Sequence, residues 1–123
     1  EILYRKALKY KDRGIVGIDV AGPPSKTFRM KDYVDLFREA KQKGLGVTIH
    51  TGEEGKDQFK EMNLVVREIG PHRIGHGFLA WQDKALIKNL VRKHITLELC
   101  PSSNLHIQVI KNVDEMRLGY LNL

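Results

Sequence analysis

Four short β-rich segments alternate along the chain with segments whose apolar residues repeat at helical spacing. The β-rich segments are 15–20, 46–50, 73–76 and 95–100, and no hairpin turn joins any two of them. Strands that alternate with helices are connected by right-handed crossovers and form a parallel sheet. The segments 15–20 and 47–49 are largely apolar, as expected of parallel strands covered on both faces. The sequence therefore predicts an α/β fold built from parallel strand–helix units.

The intervening helices are predicted from apolar residues that recur on one helical face. Glycines or a Gly-Pro pair near 14, 44 and 70 indicate where three of these helices end. The predicted order is α-β-α-β-α-β-α-β, followed by a loop and a short helix near 107–117. The four apolar sets are Leu3, Tyr4, Ala7 and Leu8; Tyr33, Leu36, Phe37 and Ala40; Met62, Val65, Val66 and Ile69; and Leu86, Ile87, Leu90 and Val91.

Composition limits the kinds of function that fit. The 123 residues leave room for one domain, and 41% hydrophobic with 29% charged residues suits a globular protein. The net charge is +6, but the basic residues are dispersed over polar helix faces, so no nucleic-acid partner is expected. No apolar run approaches the roughly 18 residues of a membrane span, so no membrane partner is expected. The single Cys100 excludes an internal disulfide and favours a reducing, cytoplasmic location.

Polar side chains that can bind ligands gather where the predicted strands end. Asp19, His50, His76 and Cys100 lie at the C-terminal ends of the four β-rich segments. Parallel α/β folds bind ligands at that edge of the sheet. A histidine at a strand end can be purely structural, but Glu53 follows His50 by three residues. Because a metal activates water while a nearby carboxylate moves protons, this pairing favours a hydrolytic site.

The other polar residues in these segments are assigned structural roles. Cys100 is predicted to be a small buried residue, since no basic group lies nearby in sequence to activate its thiol. Arg73 is predicted to pair with a carboxylate. For Asp19, a structural hydrogen bond competes evenly with a role beside a ligand, because buried acids need partners. The residues predicted to be exposed are Glu54, His72, His94 and His106.

Together, four segments resemble consecutive signatures of the adenosine deaminase family. They are VGIDVAG at 16–22, VTIHTGE at 47–53, RIGHG at 73–77 and LCPSSN at 99–104, in the family's order. The resemblance implies a TIM (β/α)8 barrel of the metal-dependent amidohydrolase kind. Residues 1–123 would then be a single partial domain that holds about strands four to seven. The implied reaction is hydrolytic deamination of adenosine, or a related aminopurine nucleoside, to inosine and ammonia.

The resemblance also implies a role for each matching residue. His50 would bind a zinc ion, and Glu53 would protonate the purine ring at N1 as water adds to C6. His76 would orient the attacking water and help to take its proton. The backbone N–H of Gly22 would bind purine N3, and Asp19 would stand on the substrate side or beside the metal ligand. The implied partner is a small-molecule purine nucleoside.

The chain departs from the family pattern at several positions. It contains no His-x-His, which supplies two zinc ligands from the first strand, and no Asp pair of the kind found on the eighth strand. Pro23 and Pro24 follow Gly22 where an acidic residue is usual, and Thr51 replaces a common Ala. The segment alone is therefore expected to be inactive, and the nucleoside is left open.

Three other functions compete with this interpretation. Deaminases of the cytidine type need His-x-Glu followed by Pro-Cys-x-x-Cys, and neither pattern occurs here. A deaminase of the same superfamily that acts on adenine or a modified aminopurine is compatible with the four segments. So is a non-catalytic α/β module that binds a purine or a metal. The sequence does not define the metal, since imidazole suits several divalent ions, nor the oligomeric state.

Overall fold

The structure is a computed structural model that describes residues 1–22 and 27–116. The predicted alternation of helices and strands is confirmed over these residues. Part of the short helix predicted near 107–117 is present as a 3-10 turn at Val113–Met116, and its last residue lies outside the described residues. The elements are α1 (Ile2–Lys9), β1 (Gly17–Val20), α2 (Val34–Gln42), β2 (Gly46–Thr51), α3 (Gly55–Leu64), β3 (Arg73–His76), α4 (Lys84–Arg92), β4 (Thr96–Glu98) and α5 (Pro101–His106).

The described strands form one parallel sheet in the order β1-β2-β3-β4. Each strand pairs with the next strand along the chain, so the winding direction never reverses. Right-handed crossovers that never reverse place every connecting helix on the same face of the sheet. A doubly wound sheet would instead contain a switch point with helices on both faces. The observed order is that of an arc of a (β/α)8 barrel.

The two faces of this sheet have different chemistry. On the helix side, Val47, Ile49 and Ile74 are fully buried and form the centre of the hydrophobic core. On the opposite face, Thr48 and His50 are only partly buried. Side chains of a strand alternate between faces, so this pattern follows directly from the sequence of β2. The core therefore lies between the sheet and its helices, and the other face carries polar groups.

Two predictions about the strands need correction. The apolar segment 47–49 was expected to be covered on both faces, but Val47 and Ile49 both point towards the helices and are buried, while Thr48 on the other face is only partly buried. The first strand begins at Gly17, two residues later than predicted, and Ile15 and Val16 are exposed. The N–H of Ile15 donates to the carbonyl oxygen of Tyr10 at the end of α1, so the chain joins the sheet only after this residue.

The helices also differ from prediction in three places. The helix α5 was not predicted, although Pro101 occupies its first turn, a position that proline favours. Val91 was placed in an apolar stripe but is exposed, because Leu86 and Leu90 take the sheet-facing positions of α4. Leu3 is likewise exposed on α1. No helix among the described residues is long and apolar enough to cross a membrane.

At the N-terminal end of the strands, two lysines donate hydrogen bonds to carbonyl oxygens at the end of a helix. After α3 the chain continues as a π-helical turn, Val65–Ile69. Lys41 donates to the carbonyl oxygens of Ile69 and Gly70, and Lys93 donates to those of Val66 and Arg67. Burial, helped by the nearby charge of Lys93, lowers the pKa of Lys41. Orphan carbonyls at a helix end need such donors, so these contacts stabilise the fold.

Candidate active site

The C-terminal ends of the strands border a cleft of about 1020 Å³. Four of the five site residues singled out from the sequence line it: Gly22, His50, Glu53 and His76. The fifth, Asp19, contacts His50 from β1. The structure therefore brings all five residues to one edge of the sheet, as the strand-end pattern predicts. A contact of Asp19 with substrate stays a prediction.

His50 stands near the end of β2 on the open face of the sheet. Its Nδ1 lies 3.0 Å from Oδ1 of Asp19, and the two side chains are 30% and 51% exposed. A carboxylate accepts the Nδ1 proton and fixes the ring, leaving Nε2 with a free lone pair. This is the arrangement that a metal-binding histidine needs. His50 is thus suited to bind a metal through Nε2.

His76 and Glu53 are in contact, although His76 ends strand β3 and Glu53 lies in the loop after β2. Nδ1 of His76 lies 3.3 Å from Oε1 of Glu53, and the side chains are only 13% and 23% exposed. The rings of His76 and His50 meet edge to face with centroids 5.8 Å apart. His76 has a φ of +65°, a left-handed conformation that is uncommon outside glycine. Two groups suited to proton transfer therefore lie beside the candidate metal ligand.

The loop that carries Glu53 is tied to helix α3. The backbone N–H of Glu53 donates to Oε1 of Gln58 at 2.8 Å. The buried hydroxyl of Thr51 donates to Oε1 of Glu61 at 3.0 Å. These bonds hold both ends of the turn between β2 and α3. Thr51 stands where the family commonly has Ala, and its hydroxyl is bound by Glu61 of α3.

Two residues at the site were missed by sequence reasoning. Gln58 lies in the first turn of a predicted helix, where nothing in the sequence distinguishes it from a surface residue. Asn104 approaches His76, with its Oδ1 3.4 Å from Nδ1. A signal for Asn104 existed, because it ends the LCPSSN segment at the same edge as the other strand-end residues.

The structural roles assigned from the sequence have mixed outcomes. Arg73 pairs with Glu98 across the open face, as predicted. Cys100 is only partly buried, and its Sγ donates to the carbonyl oxygen of Glu98 at 3.1 Å. His72 is exposed, but its Nδ1 also accepts the N–H of Val47 at 3.0 Å. The predicted exposure is confirmed for Glu54, His94 and His106.

The described residues supply only part of a metal site. Within 1–22 and 27–116, no group of three His, Cys, Asp or Glu side chains is placed to hold a metal ion. A catalytic zinc site takes three protein ligands. His50 fits one of these positions, with its tautomer set by Asp19. Further ligands would have to come from outside the described residues.

Comparison with known proteins connects this geometry to one family. The family model for adenosine deaminase matches residues 1–122, nearly the whole chain. The chain belongs to the adenosine deaminase family. The family resemblance of the four strand-end segments is thereby confirmed, and the arc of parallel strands is the corresponding part of a deaminase barrel.

Relatives within the adenosine deaminase family carry several substrate names. An adenosine deaminase from Clostridium kluyveri is 35% identical over 115 residues, which cover 92% of this chain and 32% of that protein. An adenine deaminase from Chlorobium luteolum is 35% identical over 121 residues, covering 94% and 33%. The solved structure of an N6-mAMP deaminase from arabidopsis superposes with a TM-score of 0.76 at 30% identity, over 90% of this chain and 31% of that one. This deaminase-family chain therefore spans about a third of the length of these relatives.

Gly75 gives a direct test of whether the position of the His50 ring depends on the residue packed against it. A Cβ at Gly75 would lie 2.4 Å from Cδ2 of the His50 ring, which is too close for any real contact. We expect Gly75→Ala to displace that ring and weaken metal binding by about 10- to 100-fold, the usual effect of disturbing a ligand's support. Metal affinity of the protein that contains this chain, measured by competition with a chelator, checks this.

The matched control is Gly46→Ala, at the start of β2. There a Cβ would meet the carbonyl oxygen of Val16 at 3.3 Å and would touch no site residue. Metal affinity should be unchanged in this control. Equal affinities in Gly75→Ala and the wild type would show that the ring of His50 does not depend on the glycine.

Proposed function

We propose that the protein containing this chain catalyses the metal-dependent hydrolytic deamination of an aminopurine, with adenosine as the first candidate substrate. The observation that carries the proposal is the 3.3 Å contact between Glu53 and His76 in the cleft beside His50. A carboxyl group and an imidazole within reach of each other can move protons to and from a bound substrate. The names of the relatives support the aminopurine class.

The proposed metal is zinc, and His50 would be one of its ligands. When bound, the metal supplies Lewis acidity that makes a water molecule nucleophilic near neutral pH. Asp19 holds the ring of His50 through Nδ1 and so keeps Nε2 available. His76, beside His50, would orient the attacking water and accept its proton.

Glu53 would deliver a proton to purine N1. Protonation there weakens the aromatic ring system and makes C6 electrophilic, so that water adds to C6 and forms a tetrahedral carbon. His76 would then return its proton to the amino group, the C6–N bond would break and ammonia would leave. The C6 hydroxyl would give its proton back to Glu53 as the C6 carbonyl forms, which restores both residues. Gly22 also lines the cleft, and its N–H would donate to purine N3. The substrate would thus be held at N3 and activated at N1.

The test uses the protein that contains this chain, loaded with zinc. Adenosine, adenine and N6-mAMP are supplied separately, and deamination is followed by ultraviolet absorbance and ammonia release. We expect metal-dependent turnover of at least one of them, with adenosine preferred. Binding of a purine without turnover by fully metallated protein would instead support a non-catalytic purine-binding module. Preference for adenine would show that the same reaction takes place on the free base and not on the nucleoside.

Residues 1–123 alone are expected to show no deaminase activity. The described part of this segment supplies one clear metal ligand, His50, and an arc of strands with two unpaired edges. The measurement is zinc loading of the purified segment, size-exclusion chromatography and an adenosine assay. We expect inactivity together with aggregation or dimerisation through the strand edges. Metal-dependent turnover by a monodisperse 123-residue monomer would contradict both expectations.

The remaining proposals concern where the protein acts and on what. The free thiol of Cys100 favours a reducing compartment, and we infer a cytoplasmic location. The cleft lies at the ends of the strands and suits a small-molecule purine nucleoside rather than a nucleic acid.

A further inference from the structure

We propose that Asn104 is a positioning residue that fixes the ring of His76 for proton transfer, an inference that rests on the proposed function. Asn104 is fully buried, with 0% of its surface exposed, on helix α5. Its Oδ1 lies 3.4 Å from Nδ1 of His76. It thus contacts the imidazole from a buried position.

Hydrogen bonds on both sides fix the backbone of Asn104, and its side chain is fully buried. Its N–H donates to the carbonyl oxygen of Cys100 at 3.0 Å. Its own carbonyl oxygen accepts the N–H groups of Val109 at 3.0 Å and Ile110 at 3.3 Å. Because the main chain is bonded on both sides, the amide oxygen is preset before any substrate arrives, which favours catalysis.

The contacts of His76 select one tautomer of its ring. The described residues bring two polar atoms close to Nδ1, the carboxylate oxygen of Glu53 and the amide oxygen of Asn104. Both atoms are acceptors, so in the neutral ring Nδ1 carries the hydrogen and Nε2 has the free lone pair. When Glu53 turns to protonate a purine, Asn104 still accepts from Nδ1. Nε2 therefore keeps its ability to take a proton from water.

The other half of the Asn104 amide argues against a purely structural role. Its Nδ2 is buried and has no hydrogen-bond partner among residues 1–22 and 27–116. A buried donor without an acceptor destabilises a fold, and an apolar side chain of the same shape would avoid that loss. Packing alone would thus favour leucine at this position. The contact to His76 supplies the reason for an amide.

The experiment compares Asn104→Leu and Asn104→Asp in the zinc-loaded protein that contains this chain. Leucine removes the acceptor, and we expect kcat to fall by about 10- to 100-fold with KM within about threefold of wild type. Aspartate keeps an oxygen towards His76 and should restore most of kcat. The melting temperature of Asn104→Leu should not fall, whereas a structural asparagine would lower it. Ser102→Ala, an exposed change on the same helix, is the control.

Two further measurements separate positioning from other roles. In a His76→Ala background, Asn104→Leu should have no additional effect on kcat, since the two residues act as a unit. Long-range proton–nitrogen NMR of the metal-free protein should show the Nδ1–H tautomer of His76, and a mixture of tautomers in Asn104→Leu. Wild-type kcat in the leucine variant, an undiminished effect without His76, or an Nε2–H tautomer in the wild type would overturn the proposal.

These outcomes are distinct from a failure of the proposed function. If the metallated wild type deaminates no aminopurine, the proposed function is wrong, yet the NMR tautomer still decides whether Asn104 positions His76. If Asn104→Leu does not fold, the activity of Asn104→Asp and the tautomer of His76 in the wild type decide whether Asn104 positions His76.

Discussion

Glu53→Gln should lower kcat for aminopurine deamination by about 100-fold or more, the usual scale of general acid–base catalysis, while fold and metal content stay unchanged. An amide cannot give up a proton as a carboxyl group does. The backbone of Glu53 is anchored to Gln58 through its N–H, so the substitution leaves that anchor intact. Steady-state kinetics, circular dichroism and elemental analysis of the same preparation provide the measurement.

A matched control for this substitution is Glu68→Gln. Glu68 pairs with Arg38 on the surface at 2.9 Å and lies outside the cleft lining. Exposed ion pairs contribute little, so kcat should stay within about twofold of wild type. Near-normal turnover in Glu53→Gln itself would remove Glu53 from the mechanism.

His50→Ala should strip the metal, and His76→Ala should slow the reaction while metal is largely retained. The reason is the difference in their contacts. Asp19 sets His50 to present Nε2, whereas His76 directs Nδ1 towards Glu53 and Asn104. Elemental analysis measures the metal, and kcat per bound metal measures the chemistry. Loss of the metal should abolish turnover in His50→Ala.

The control for both histidine variants is His106→Ala, an exposed position at the end of α5. It should keep both metal and turnover. Equal metal loss in His50→Ala and His76→Ala would show that both imidazoles bind the metal. The separate roles assigned to the two histidines would then be wrong.

The main parts of the fold could be predicted because they depend on local patterns. The β-rich segments and the helical spacing of apolar residues both reflect burial, which a sequence records directly. The edge at which Asp19 and His50 meet follows from the parallel direction of the strands. Asp19 lies opposite Thr48 in the sheet, and His50, two residues further along β2 on the same face, comes within 3.0 Å of it.

The missed features depend on geometry that no periodic pattern encodes. The contact of His76 with Glu53 needs a left-handed φ at a histidine and a loop tied back by Gln58. Helix α5 has six residues, too few to show an apolar repeat, so Asn104 could not be placed beside His76. The start of β1 was misplaced because Ile15 and Val16 are apolar yet precede the sheet.

The sheet has a buried side and a polar side, and this division determines which substitutions the chain can accept. Val47, Ile49 and Ile74 hold the fold together from one side, while Thr48 and His50 face the other. Under the proposed function, substitutions of cleft residues other than His50, Glu53 and His76 should therefore change substrate preference with little effect on the free energy of unfolding. The solved N6-mAMP deaminase superposes on this strand scaffold, and sequence relatives named for adenosine and adenine differ from it in the name of the substrate. Laboratory diversification should accordingly tolerate more changes at those cleft positions than beneath the helices.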